Sequence, residues 1–298
     1  MRRATRETTY TTHSRHNLPA LTVRSGEIFQ VETELCSGPW LHNLDDRYDL
    51  ACTSGPNPTV VVAVAGAVPG SQLAVRILDV ELDSVGYTGF LRQQNPLSRH
   101  ILDHDWAATH RTLAIRDRQI IWSDTLRIPV RPMIGTLGTA PEREEILNSK
   151  GGSHGGNLDV QEVTVGSTVY LPVAVPGALL HVGDVHAIQG DGEINLAGGV
   201  ECRAVVTLQV ETVSRFRRMS QVRIENEAYI MSVACERSAE EAFAAAARDL
   251  IGYMTEGCGM TEQEAYLLLG QVMEARCTQF VNPTRSYVCK IPRRYLEA

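Results

Sequence analysis

His154, Asp159, Asp184, His186, Asp191, Glu193 and Glu201 all lie between Gly151 and Cys202. They stand among glycines (GGSHGG, GDG, AGG) that packed elements tolerate poorly, because glycine loses the most conformational freedom on ordering. Ligand-type side chains on short, Gly-bent segments point to a chemical site. In extended backbone, residues two apart share a face, so Asp184 would join His186 and Asp191 would join Glu193. A bend at Gly190 would then bring three carboxylates and an imidazole to one point. Carboxylate oxygens and imidazole nitrogens are the ligands of a hydrolytic Zn²⁺-type ion. His154 and Asp159, on the segment SHGGNLD, complete the set. Singly, each residue has a plainer reading: Asp191-Gly192 as a hairpin turn, Asp184 bonded to turn amides, His186 as a satisfied, partly buried histidine. The cluster as a whole is what packing does not explain. The run Gly151-Gly152-Ser153-His154-Gly155 matches the letters of a serine nucleophile elbow, but no apolar strand precedes it and no helix follows.

The surrounding elements must position these groups. Thr59–Ala65 is a β-branched run suited to a buried strand, and 72–82 fits another. Residues 21–34 fit a strand pair around Ser25-Gly26, and 119–130 a strand or hairpin. A strand within 169–175 again ends in Val-Pro-Gly, as the segment before Gly70 does, which leaves internal duplication open. In 200–211, Cys202, Ala204, Val206, Leu208 and Val210 alternate with Glu201, Arg203, Thr207 and Gln209, the pattern of a sheet with one wet face. Residues 1–20 read as frayed or peripheral, with His13 and His16 as the residues of interest in them, and 86–118, without a clean period, as long loops or a lid. Trp106 and Trp122 are candidates for a pocket wall or, more simply, for packing. Ser238-x-x-Glu241 and Thr261-x-x-Glu264 are capping boxes that open two helices, and Asn282-Pro283 ends the second. A final strand follows at 287–291. These elements predict a mainly β fold, a β-sandwich core over residues 1–232 with a C-terminal α+β portion containing two helices over 233–298.

The chain has 298 residues and a formal charge of −7. Basic residues are scattered apart from Arg215-Phe216-Arg217-Arg218, which argues against a nucleic-acid surface. No apolar run is long enough for a transmembrane helix, and Met1-Arg2-Arg3 leads into Thr-rich sequence without the apolar core of a signal peptide. Seven cysteines at irregular spacing, with no C-x-x-C pair, read as reduced thiols of a cytoplasmic protein, each a small core residue.

Three strings, PMIGTLGTAP over 132–141, GGNLD over 155–159 and GDVHAIQGDGE over 183–193, resemble the acetamidase/formamidase family. The resemblance runs from about Pro19 to Leu296 and includes the terminal pattern around Thr261–Tyr266 and Val281–Pro283. It implies hydrolysis of a short carboxamide to ammonia and a carboxylate by a homo-oligomer, a dimer or trimer. By motif position it carries His154, Asn157, Asp159, Asp184, His186, Asp191 and Glu193 as site residues, with Glu201 beside them. Related plant proteins act on indole-3-acetamide, so the acyl group stays open. Ser71 stands where the family usually has Asp, and the preceding strand lacks a glutamate, so this half would lack a polar contact near the pocket.

The expected chemistry is metal-assisted. Asp159, Asp184 and His186 are the expected ligands of a divalent ion, Zn²⁺ by donor type. Glu193 or Asp191 would move protons, Asn157 would donate to the oxyanion, and His154 would be ligand or acid. A metal-free carboxylate mechanism and a non-catalytic small-molecule binding protein are the alternatives.

Overall fold

The computed structural model describes residues 1–49, 55–90, 96–97, 109–195, 197–216 and 219–296. Two long strands form its spine. Gln72–Phe90 and Ala197–Val213 pair antiparallel from Gln72↔Val213 to Gly89↔Ala197. Bulges at three places along this ladder bend it, because an extra residue on one strand kinks it and increases the local twist. On its other edge, Gln72–Phe90 meets Thr168–Pro172 at one end and Thr109–Arg116 at the other. Ala197–Val213 meets Ile28–Thr33 and then the strand Leu180–Ile188. That strand in turn lies between Met133–Thr139 and Thr59–Ala65. Strands shared in this way branch and curl the ladder into one 18-stranded sheet, with a two-stranded pair, Thr12–His13 and Ile146–Leu147, beside it. The curled faces enclose a valine- and leucine-rich core that includes Val60, Val62, Val75, Val182, Val206 and Leu208.

Near the C-terminus come two helices, α1 (Ala239–Gly257) and α2 (Glu262–Val272). Both capping boxes form: Ser238 and Thr261 accept from the N3 amides while Glu241 and Glu264 reach back. Ala246, Leu250 and Met254 of α1 and Ala265 and Leu269 of α2 pack on Ile230, Cys289 and Ile291 of the sheet. The expected mainly β architecture with two C-terminal helices is thus what the chain adopts. No helix among the described residues is long and apolar enough to cross a membrane.

Several local expectations change. Residues 86–90 and 109–116 are strand rather than loop, carried by cross-strand pairing where their own sequence has no period; 98–108, with Trp106, lie outside the described residues. Trp122 is partly buried against the main core. The N-terminus is not peripheral: Arg2–Ala4 pairs parallel with 29–31, and His13 is fully buried. The strand Glu274–Gln279 intervenes between α2 and Asn282-Pro283. The strand Tyr229–Glu236 runs through residue 232, pairing with Val222–Glu225 on one side and Arg285–Pro292 on the other, so hydrogen bonding is continuous there. The wet face expected of 200–211 is dry at its start, since Glu201 and Arg203 are both buried.

Candidate active site

The strand Leu180–Ile188 delivers Asp184 and His186 from the middle of the sheet. Asp184 sits in left-handed backbone, with φ 59°. Asp159 and Glu193 do the same, with φ 48° and 35°. Such conformations are costly for residues with a Cβ and persist where the surroundings over-determine them, typically at functional sites. The three side chains meet in the interior. His186 Nε2 lies 3.4 Å from Asp184 Oδ1 and 3.2 Å from Glu201 Oε1. Its Nδ1 is 3.0 Å from Gln189 Oε1, which fixes the ring. Asp184 Oδ2 accepts from Asn57 Nδ2 at 2.9 Å and from Thr136 Oγ1 at 3.1 Å. Asp159 Oδ2 accepts from Asn282 Nδ2 at 2.6 Å. Close backbone approach makes room: a Cβ at Gly135 would fall 2.6 Å from Asp159 Oδ1 and 2.7 Å from Asp184 Oδ2, and any side chain at Gly198 would overlap Glu193 Oε1.

Four carboxylates and one imidazole are therefore buried together, at 1–6% exposure each. Burial, then the charge of Asp184, raises the Asp159 carboxyl to about 7. Burial raises Glu201 to about 8, against the pull of His186 and with the push of Asp184. Glu193 is driven well up by burial and by Asp159, so ionising both members of this adjoining pair is disfavoured. Burial works to lower His186, but Glu201 and Asp184 outweigh it and keep the ring charged.

The donor set suits a divalent cation. Asp159, His186 and Glu193 each offer a ligand atom, all within 4.8 Å of one another, and so do Cys36, Asp184 and Glu201. Asp159 Oδ1, Glu193 Oε2 and Glu201 Oε2 are buried without a hydrogen-bond partner. Buried carboxylate oxygens left bare are costly, and a cation or a proton removes that cost.

A cavity of 670 Å³ opens on the cluster, lined by Asp184, Glu193, Glu201, Asn157, Asn57 and Cys36 among others. Thr136 has one hydroxyl proton for two acceptors, Asn157 Oδ1 at 2.8 Å and Asp184 Oδ2 at 3.1 Å, and the Asn157 amide nitrogen stays available as a donor. Tyr87, buried behind Cys36, holds Ser37 Oγ at 2.6 Å.

Two expected site residues are elsewhere. Asp191 is at the surface, 66% exposed by side chain, in an ion pair with Arg276 at 2.8 Å. The alternation that linked it to Glu193 fails because the strand ends at Ile188 and Gly190–Glu193 turns. His154 packs edge-on against His13 at 5.0 Å, and His13 stacks on His181 at 4.2 Å. His154 is thus part of a buried histidine cluster rather than of the carboxylate site. Ser71 bonds its own turn, Oγ to the Val68 carbonyl at 2.6 Å, and does not line the cavity. Sequence reasoning gave no role to Cys36, Asn57, Thr136, Tyr87 and Gln189, although Gln189 lies in the family string over 183–193, and it read Asn282 only as a helix terminator and part of the terminal family pattern. Only the family string over 132–141 marked Thr136.

A family model described as the Acetamidase/Formamidase family matches residues 2–151 and 148–296. The chain belongs to this family. Among its relatives, the acetamidase of Mycolicibacterium smegmatis is 28% identical across 65% of this chain and 63% of that protein. The formamidase of Methylophilus methylotrophus is 26% identical across 63% and 60% respectively. The chain therefore spans about 60% of the length of the curated relatives it matches. A crystal structure of an acetamidase from Bacillus halodurans superposes with a TM-score of 0.91 over 99% of this chain and 100% of that one, at 30% identity.

Proposed function

We propose that this protein hydrolyses a linear carboxamide to ammonia and a carboxylate with the help of a divalent cation. One observation carries the reading: in a chain of this family, four buried carboxylates and His186 converge, three of the carboxylates on the wall of a cavity, with three carboxylate oxygens unpartnered. Asp159, His186 and Glu193 would hold the cation, with Asp184 alongside; Zn²⁺ fits mixed imidazole and carboxylate donors. When bound, the cation supplies Lewis acidity to the amide carbonyl and acidifies a water. The chain's own groups do the rest. Asn57 and Thr136 fix Asp184, and Gln189 fixes His186. The free amide donor of Asn157 faces the developing oxyanion, where a fixed donor outperforms water because it needs no reorganisation. Glu201, which lines the cavity with a bare oxygen, in its ionised form takes the water's proton and returns it to the leaving ammonia.

A metal-free route has support of its own: burial and mutual repulsion push the Asp159 and Glu193 carboxyls up together, as in a carboxyl acid–base pair. The test is ammonia release from formamide, acetamide, propionamide and indole-3-acetamide, before and after EDTA and with Zn²⁺ restored. Loss on chelation and recovery with metal is expected. Full activity after chelation would favour the metal-free pair, and no release from any amide with metal present would refute the hydrolase reading. The family resemblance also implies a homo-oligomer, and Tyr266 and Leu267, 67% and 57% exposed on α2, offer an apolar surface for one. Sedimentation of the purified protein measures it.

A further inference from the structure

The cavity is too large for the smallest amides. Its 670 Å³ is space well beyond what a two-carbon amide fills. One feature of its wall distinguishes what could fill the rest. Arg285 is half-buried there, and among the described residues its guanidinium has one partner, the main-chain carbonyl of Asn282. Three other arginines that are at least partly buried hold carboxylates: Arg203 holds Glu34, Arg223 holds Asp249, Arg276 holds Glu162. Arg285 does not, although a guanidinium presents several donors in a planar fork matched to a carboxylate.

Its position relative to the chemistry is set by one residue. Asn282 gives its side-chain amide to Asp159 and its carbonyl to Arg285. The guanidinium is therefore tied to the reacting cluster across the span of a single asparagine. Asn282-Pro283 and Phe280 complete this side of the cavity. Arg285 lines the same cavity as Asp184, Glu193 and Glu201, so a molecule with its carboxamide at those carboxylates can extend toward the guanidinium.

We infer that the substrate carries a carboxylate as well as the amide, with Arg285 as the residue that binds it: a monoamide of a short dicarboxylic acid. This rests on the amide-hydrolase reading above. A neutral small amide leaves Arg285 and most of the cavity to water. An aromatic amide could use Tyr48, Tyr87 and His110 of the same cavity, but Tyr48 and His110 already stack on each other at 3.8 Å, with their rings 8° from parallel.

The experiment uses the full chain supplied with Zn²⁺ and measures ammonia release from succinamate, malonamate, pentanamide, propionamide and phenylacetamide. Arg285→Gln and Arg285→Lys are compared with the parent. Succinamate or malonamate is expected to exceed pentanamide in kcat/KM by tenfold or more, mainly through KM. The ratio should collapse toward one in Arg285→Gln and recover partly in Arg285→Lys. Pentanamide or phenylacetamide preferred by the parent chain would overturn the inference while leaving the hydrolase intact. So would an Arg285→Gln loss confined to kcat and equal for charged and neutral amides, which would place Arg285 in the reaction instead. No ammonia from any substrate would remove both readings, and the parent chain's substrate ratio decides the question even if a variant fails to fold.

Discussion

Substituting His154 by Gln should reveal a histidine that is held neutral by burial and destabilises the fold in acid. His154 is 8% exposed with an unpartnered Nε2, and burial lowers its pKa to about 4. In the unfolded chain the same ring titrates near 6.5. Between those values the unfolded state binds a proton that the folded state refuses, so stability falls as pH drops from above 6.5 toward 4. At pH 5 the unfolded ring is almost fully charged and the folded ring about a tenth charged. At about 1.4 kcal/mol per pKa unit, the step from pH 8 to pH 5 costs about 2 kcal/mol through this residue. His181, lowered to about 3 by burial and then by the charge of His154, and His13, lowered by burial and by both neighbours, act with the same sign. Asp159 and Glu201 act oppositely: their raised pKa values make the folded state the stronger proton binder below about 8, so they add stability as pH falls. The raw pH profile therefore mixes both signs, and the difference between parent and His154→Gln isolates the histidine. Urea unfolding followed by tryptophan fluorescence at pH 8 and pH 5 gives that difference. The variant should gain about 2 kcal/mol relative to the parent over this interval. A difference that stays constant with pH would refute the reasoning, because it would mean that His154 is not kept neutral by the fold.

Gly135→Ala should lower kcat/KM for the best amide by about a hundredfold, since its Cβ would displace the Asp159 and Asp184 carboxylates together and small displacements of reacting groups are expensive; near-parental rates in the ammonia assay would show that those positions are not critical. Asp249→Ala should cost about 3–5 kcal/mol in urea unfolding, because it removes the carboxylate from the buried Arg223, whose Nε donates to Asp249 at 2.8 Å with both side chains at 3% exposure or less. A loss below about 1 kcal/mol would show that water reaches Arg223.

Local patterns carried a definite share of this structure. Alternation in 200–211 marked a strand, and its apolar members are buried as expected. Ser238 and Thr261 announced the two helices because capping is settled within four residues. Asp184 and His186 were legible as a pair, and the density of ligand-type residues among glycines marked the site. What the sequence could not decide was which of them meet. Asn57 reaches Asp184 across 127 positions and Asn282 reaches Asp159 across 123. Contacts at such separation depend on the register and curl of the sheet, to which periodicity over a few residues is blind. Asp191 and Glu193 share a pattern in the sequence yet part at a turn, one to Arg276 at the surface and one to the buried cluster. His154 stands five residues before Asp159 in the chain, but the hairpin between Gly151-Gly152 and Gly155–Asn157 sends it toward His13 and His181. The sequence supplied the groups and the local elements. The tertiary fold chose among the groups, because burial and charge act on whatever lies nearby in space, regardless of distance along the chain.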